Sequence, residues 1–308
     1  MKNNFGQIVK YGLFVLVMPL LFSCEDEIFP KLENADPIVV IDAWISNKSG
    51  DQVIKITSSQ SYFDNTLPPG MSGANVIVTD NLGADFLFVE DTTSPGQYIW
   101  SPVGTEVFGD VGNSYVLTVQ IGSETYVAVS IMNRVPVIDS ISFTFEEESS
   151  FLPETYLADF WSSDFVGPND TYWVKAWKNG IPLNKPGDIN LAYDAGFSAG
   201  GNFDGVTFIT PIRQGINPFD QDENDEIIPP YLPGDSVYVE IHSITLEAFN
   251  FMNEVAVQTD RPGGFSELFA SPISNVSTNI FNASNSSKKA LGFFNVSAVS
   301  GLGRRLEQ

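Results

Sequence analysis

Most of the residues suited to chemistry in this chain are carboxylates. Asp and Glu number 38 against 15 Lys and Arg, with a single His and a single Cys in 308 residues. The densest acidic run is "NPFDQDENDEIIPPYLPGD", residues 217–235. Within it Asp220, Asp222, Asn224 and Glu226 alternate and present hard oxygen ligands of the kind Ca²⁺ takes. An EF-hand loop requires Gly at its sixth position and Glu at its twelfth. Counted from Asp220 those positions hold Asp225 and Tyr231, so the motif fails, and a solvated loop between two strands is the better account of the run. Any triad or imidazole metal site would have to use His242 alone, so zinc is not expected and a satisfied or solvent-facing strand histidine is. Paired carboxylates would suit glycoside hydrolysis, but the sequence brings no particular two together. The glycine-rich "DAGFSAGGNFDG" (194–205) lacks the Lys-Ser/Thr of a phosphate-cradling loop. No catalytic residue is assigned.

Trp173, Lys175 and Trp177 fall at alternate positions of "TYWVKAWKNG" (171–180), opposite Tyr172, Val174 and Ala176. On a strand they share one face. Two indoles flanking a lysine would make a stacking platform for a sugar ring. Core packing, with the lysine stem reaching to water, is the first reading, because aromatic residues in β-proteins are usually core, and the sugar platform comes second.

Cys24 closes an apolar run, Tyr11 to Phe22, that follows Lys2 and Lys10. The run is shorter than the roughly 20 residues of a membrane span and has the shape of a secretory leader, residues 1–23. Leu21-Phe22-Ser23-Cys24 resembles a bacterial lipobox, in which the thiol takes a diacylglycerol thioether. Acyl chains of the palmitate type contribute about 0.8 kcal/mol per buried CH₂, so two or three of them form a lasting anchor. Glu25, Asp26 and Glu27 resemble a surface-export signal that follows the lipidated cysteine. The expectation is an acylated N-terminus and tether over 24–36, held in the outer membrane and exposed on the cell surface.

Removing residues 1–23 takes the formal charge from −23 to −25, because two lysines and no acid are lost. Such a chain repels phosphate backbones, so nucleic-acid binding is excluded. A hydrophobic content of 43% with 24 Phe is too high for disorder.

These residues need strands to position them. Seven β-like segments cover 37–46, 52–59, 74–80, 85–91, 96–102, 113–122 and 124–132, separated by turn formers. The alternation predicts an Ig-like or transthyretin-like β-sandwich over 37–134. A linker followed by a new strand is expected at 133–145, and a second, mixed β domain over 135–308, with further strands at 171–180, 205–212, 234–243 and 290–300. Ala248, Phe251, Met252 and Val255 recur at helical spacing, which predicts one helix near 244–257 with Ser243 or Thr245 as its N-cap.

The lipobox, "IVVIDAWIS", "SYFDNTLPPGMSGANVIVTD", "YVLTV", "VPVIDSISF", "GDSVYVEIHSITLEAFNFMNEV" and "ALGFFNVSAVS" occur in this order. Together they resemble the domain-of-unknown-function 4249 family of Bacteroidota lipoproteins, often encoded beside TonB-dependent receptors. The resemblance brings no catalytic residues. It implies a non-enzymatic accessory or ligand-binding partner of a TonB-dependent nutrient importer. A surface glycan-binding or adhesion module and a carboxylate-based hydrolase are the alternatives from the residues themselves.

Overall fold

The computed structural model describes residues 36–307 apart from 62, 63, 65, 150, 151 and 262. The leader, Cys24, Glu25, Asp26 and Glu27 therefore lie outside the described residues. Residues Pro37–Gln308 form one compact unit. Among the described residues no helix is long and apolar enough to cross a membrane.

Seven strands open the unit, at the positions the alternation marks: β1 (Val39–Ser46), β2 (Gln52–Ser58), β3 (Asn75–Asp80), β4 (Asp85–Glu90), β5 (Gln97–Trp100), β6 (Ser114–Ile121) and β7 (Glu124–Ile131). The next stretch holds β8 (Ser140–Glu146), β9 (Thr155–Trp161), β10 (Thr171–Lys178), β11 (Ile181–Pro182), β12 (Asn190–Tyr193), the short helix α1 (Thr210–Gln214) and β13 (Ser236–Ile244). The longer helix α2 (Leu246–Thr259) follows, then β14 (Phe281–Asn282), β15 (Ala290–Ser297) and β16 (Val299–Arg305).

The first sheet is not the expected pair of facing sheets. It is one nine-stranded path, β14-β7-β6-β3-β4-β5-β2-β1-β15, that curls almost into a barrel. Two features replace the sandwich. β4 pairs with both β3 and β5, so the would-be layers are one sheet. β15 runs parallel to β1 and comes back beside β7. There Val296 N donates to Ser130 Oγ at 3.0 Å, and Asn279 Nδ2 donates to the carbonyls of Phe294 (2.8 Å) and Val129 (3.3 Å). Side chains thus do at the gap what backbone pairing does elsewhere, and little edge is left open. β1 and β15 approach closely at Gly292, where φ is +92° and a Cβ would lie 2.0 Å from the Ile41 carbonyl oxygen. Only glycine fits that spot.

Inward positions of these strands fill the barrel with Ile41, Ile54, Val76, Leu117 and Phe294, each at most 1% exposed, and their neighbours. An aromatic group packs inside, with Phe108 centred 4.3 Å from Phe86, 5.4 Å from Trp100 and 5.6 Å from Tyr115.

The second sheet has the order β11-β10-β13-β16, with β12 also on β10 and β8–β9 as a separate antiparallel pair. Asn179 and Gly180 both have positive φ, 51° and 79°, which closes β10 onto β11 through the Asn-Gly turn the sequence carries. Tyr172, Val174, Val237, Val239 and Ile241 face one core with Phe160, Phe208 and Ile212. The expected strand at 205–212 is instead a bridge at Thr207 followed by α1. Pro211 in the first helical turn explains the change, because its fixed φ suits a helix start and it has no N–H for a ladder. α2 begins at the expected cap, Thr245, whose Oγ1 accepts from Ala248 N at 3.2 Å. It buries Ala248, Phe249, Phe251 and Met252 against the sheet face that carries Trp173.

Candidate functional site

The register of β10 against β13 sets opposite each other Trp173 and His242, Lys175 and Glu240, and Trp177 and Tyr238. Residues paired in this way share a face, so the proposed ligand platform sits beside an acid and the lone histidine. The barrel supplies the rest. Lys48, just past β1, reaches across to Glu240 as an ion pair, and Trp44 of β1 meets Trp173 edge-on at 5.3 Å. Trp44 also stacks on Phe293 at 5.8 Å. The result is a seam between barrel and second sheet that buries charge among indoles.

Glu240 is 1% exposed. Its two oxygens are both taken, Oε1 by Lys48 and Oε2 by His242 Nε2 at 2.9 Å. Burial opposes its ionisation, but the hydrogen bonds from His242 and Lys48 prevail and hold its pKa at about 2. Burial is also the main influence on His242 and pushes it down to about 4. The Glu240 hydrogen bond opposes that shift, while Lys175 and Lys48 add to it. At neutral pH His242 is therefore an uncharged donor to an ionised Glu240, and Lys48 supplies the countercharge. This is a satisfied strand histidine.

Lys175 is different. Its ammonium lies 3.8 Å from the centre of the Trp173 ring, a cation–π contact. Among the described residues it makes no ion pair and no hydrogen bond. Burial lowers its pKa to about 8, against the pull of Glu240 and Asp42 and with the push of Lys48. Asp42, on β1, keeps contact with water yet is crowded by protein. That crowding raises its pKa, and Lys55 and Lys175 only partly offset it.

Trp173, Lys175 and Trp177 line a cavity of about 460 Å³. Met252, Val255 and Thr259 of α2 form one wall, and the 182–189 segment forms another. Each indole already has a close neighbour. Trp173 is covered by Lys175 and abutted by Trp44, while Trp177 tilts 54° against Tyr238 at 5.6 Å.

The acidic run lies elsewhere. Asp222 Oδ1 accepts from Asn224 N (2.8 Å) and Glu226 N (3.0 Å), and Asp220 pairs with Lys185. Asp222 thus caps its own turn. Among the described residues no three His, Cys, Asp or Glu converge as a metal-holding group. The other crowded carboxylate is Asp164. Its pKa is raised by burial, while it accepts from Tyr172 Oη at 2.6 Å and from Gly205 N at 3.3 Å.

Glu240, Lys48 and Trp44 were not singled out from the sequence. Alternation on β13 puts Glu240 beside His242, which was a usable signal. Nothing local ties Lys48 or Trp44 to β10.

A second surface stands out on the barrel's outside. The outward positions of β3, β4, β6 and β7 include Ile77, Leu87, Val89, Val116, Val127, Val129 and Ile131, with Phe281 of β14 alongside. Leu87, Val89, Val129 and Phe281 are each more than half exposed. Register joins Leu87, Ile77, Thr118, Val127 and Phe281 in one row across the strands. Asp85 is the single charge among those outward positions, in a chain of formal charge −23.

No curated protein matches the sequence at a significant level. The family model described as "Domain of unknown function (DUF4249)" matches residues 25–301. The matched span takes in the barrel, the seam and α2, and the chain belongs to the DUF4249 family.

Proposed function

We propose that the protein is a lipid-anchored accessory of the bacterial outer membrane that works by binding, not catalysis, as the partner of a TonB-dependent import barrel. The observation that carries the reading is the aliphatic face on β3, β4, β6 and β7, where Asp85 is the single outward charge. An exposed apolar patch of this kind usually meets another surface, and here it lies in a chain of formal charge −23. The lipobox-like Cys24 and membership in a family of Bacteroidota surface and membrane proteins support the location. Acyl anchoring would keep the face beside an integral barrel, where a weak contact acts at high effective concentration.

The test is co-purification of the C-terminally tagged chain from native membranes in mild detergent. A stoichiometric outer-membrane β-barrel is expected, and the double variant Leu87→Lys, Val129→Lys should lose it while keeping its melting temperature. A native chain that purifies alone refutes the reading. A sugar-binding surface module is the second reading, supported by the two indoles that line one cavity.

A further inference from the structure

We propose that the cavity beneath α2 binds a small amphipathic carboxylate, its anionic head on Lys175 and its apolar body against Trp177, Leu183, Met252 and Val255.

The argument begins with an imbalance of charge. Lys48 and Lys175 both approach Glu240, but hydrogen bonds from Lys48 and His242 occupy its two oxygens. His242 is uncharged there, so it needs no counterion. Asp42 acts on Lys175 only through space and makes no ion pair with it. Lys175 is thus a half-buried ammonium whose sole close partner among the described residues is the face of Trp173 at 3.8 Å. Buried cations are normally paired with an anion, and an indole replaces only part of the lost hydration. An anion entering the cavity would complete the pairing.

The walls select the rest of the ligand. Trp173, Trp177, Leu183, Met252, Val255 and the ring of Pro182 give the lining an apolar character. The volume, about 460 Å³, suits a ligand body larger than acetate. Trp173 is covered by Lys175 and Trp177 is abutted by Tyr238, so an unsubstituted sugar ring meets indoles that already have neighbours. The chain's overall negative charge opposes any anion at long range. At physiological ionic strength that field is screened beyond about 8 Å, and the local ammonium decides. The inference goes beyond the docking reading and does not depend on it, since the cavity and the aliphatic face involve different residues.

The experiment is isothermal titration of the full chain in lipid nanodiscs, with empty nanodiscs subtracted. The probes are 4-phenylbutyrate and its uncharged analogue 4-phenylbutanol, with maltotriose as the neutral sugar. Phenylbutyrate should bind at least tenfold more tightly than the alcohol, the size expected for a charge-assisted contact. Lys175→Met should abolish that preference, and Lys175→Arg should retain most of it. Val255→Phe, which adds bulk to the cavity wall, should weaken both phenyl probes alike. Equal binding of acid and alcohol would overturn the proposal. So would an acid preference that survives Lys175→Met, or absence of phenylbutyrate binding up to millimolar concentration. Preference for maltotriose would transfer the cavity to the sugar-binding reading.

Discussion

The inside of the barrel and the seam beside it bury residues of opposite kinds. Phe108, Phe86, Trp100 and Tyr115 fill the barrel with aromatic surface, and its polar atoms are satisfied locally, as where Tyr115 Oη accepts from Asp110 N at 2.7 Å. The seam buries Glu240, His242 and much of Lys175 among Trp44, Trp173 and Trp177. Ionic groups in such a place commonly contribute no net stability compared with apolar residues of the same shape. The barrel is arranged as a support. The seam accepts a cost, and a cost kept beside a cavity is a reason to look for function there.

The comparison is broken most sharply from the barrel side. Phe108→Ala removes a ring at the centre of the aromatic group and should destabilise the protein by about 3–5 kcal/mol, read from urea unfolding. A loss below 1 kcal/mol would mean that the barrel interior is not the main store of stability.

Glu240→Gln is the next largest. His242 loses a charged acceptor, while Lys48, partly in water, can swing free, so a loss of about 1–3 kcal/mol is expected. A gain in stability would show that Glu240 is not held by its two partners.

The pH dependence of the seam follows from the same pair. Both groups have depressed values in the fold, so the unfolded chain takes up protons first and stability falls with pH. The His242 share is complete above its ordinary 6.5 and lost as pH falls towards 4. The Glu240 share is complete above 4.5 and lost towards pH 2. Melting temperatures of the native chain should decline across pH 6.5 to 4, and His242→Gln should flatten that slope. Parallel curves would remove His242 from the account.

Lys175→Met sharpens the contrast by making the seam resemble the barrel. It removes an unpaired, half-buried cation and should stabilise the protein at pH 7 by on the order of 1–2 kcal/mol. Lys175 is itself depressed, from 10.5 to about 8. The native chain should therefore regain stability as pH rises from 8 to 10.5, and the variant's advantage should shrink over that interval. An advantage independent of pH would point to packing and not charge.

The pieces legible in the sequence are those governed by near neighbours. Alternation marks β1 to β7 to within a residue or two, the Asn179-Gly180 turn shows as a dipeptide, and Thr245 with the spacing of Ala248, Phe251 and Met252 marks α2. The face shared by Trp173, Lys175 and Trp177 needs only a period of two. What was hidden depends on distant pairing. Nothing around residues 290–297 announces a parallel partner at β1, so the barrel looked like a sandwich. Nothing around Lys48 announces Glu240. Residues 205–212 read as a strand because their apolar residues suit one, and Pro211 settles the matter through backbone geometry.

The strand pair β15–β16 has a consequence for how the molecule is made. Val39 pairs with Ala290, and His242 pairs with Val299. One nearly unbroken stretch is therefore the last stave of the barrel and an edge of the second sheet, with buried Ala298 between them. During synthesis the early strands wait for a partner from the far end of the sequence, a long-range closure that slows folding. The same stretch thus completes both sheets, and neither is closed before the C-terminal part of the fold is in place.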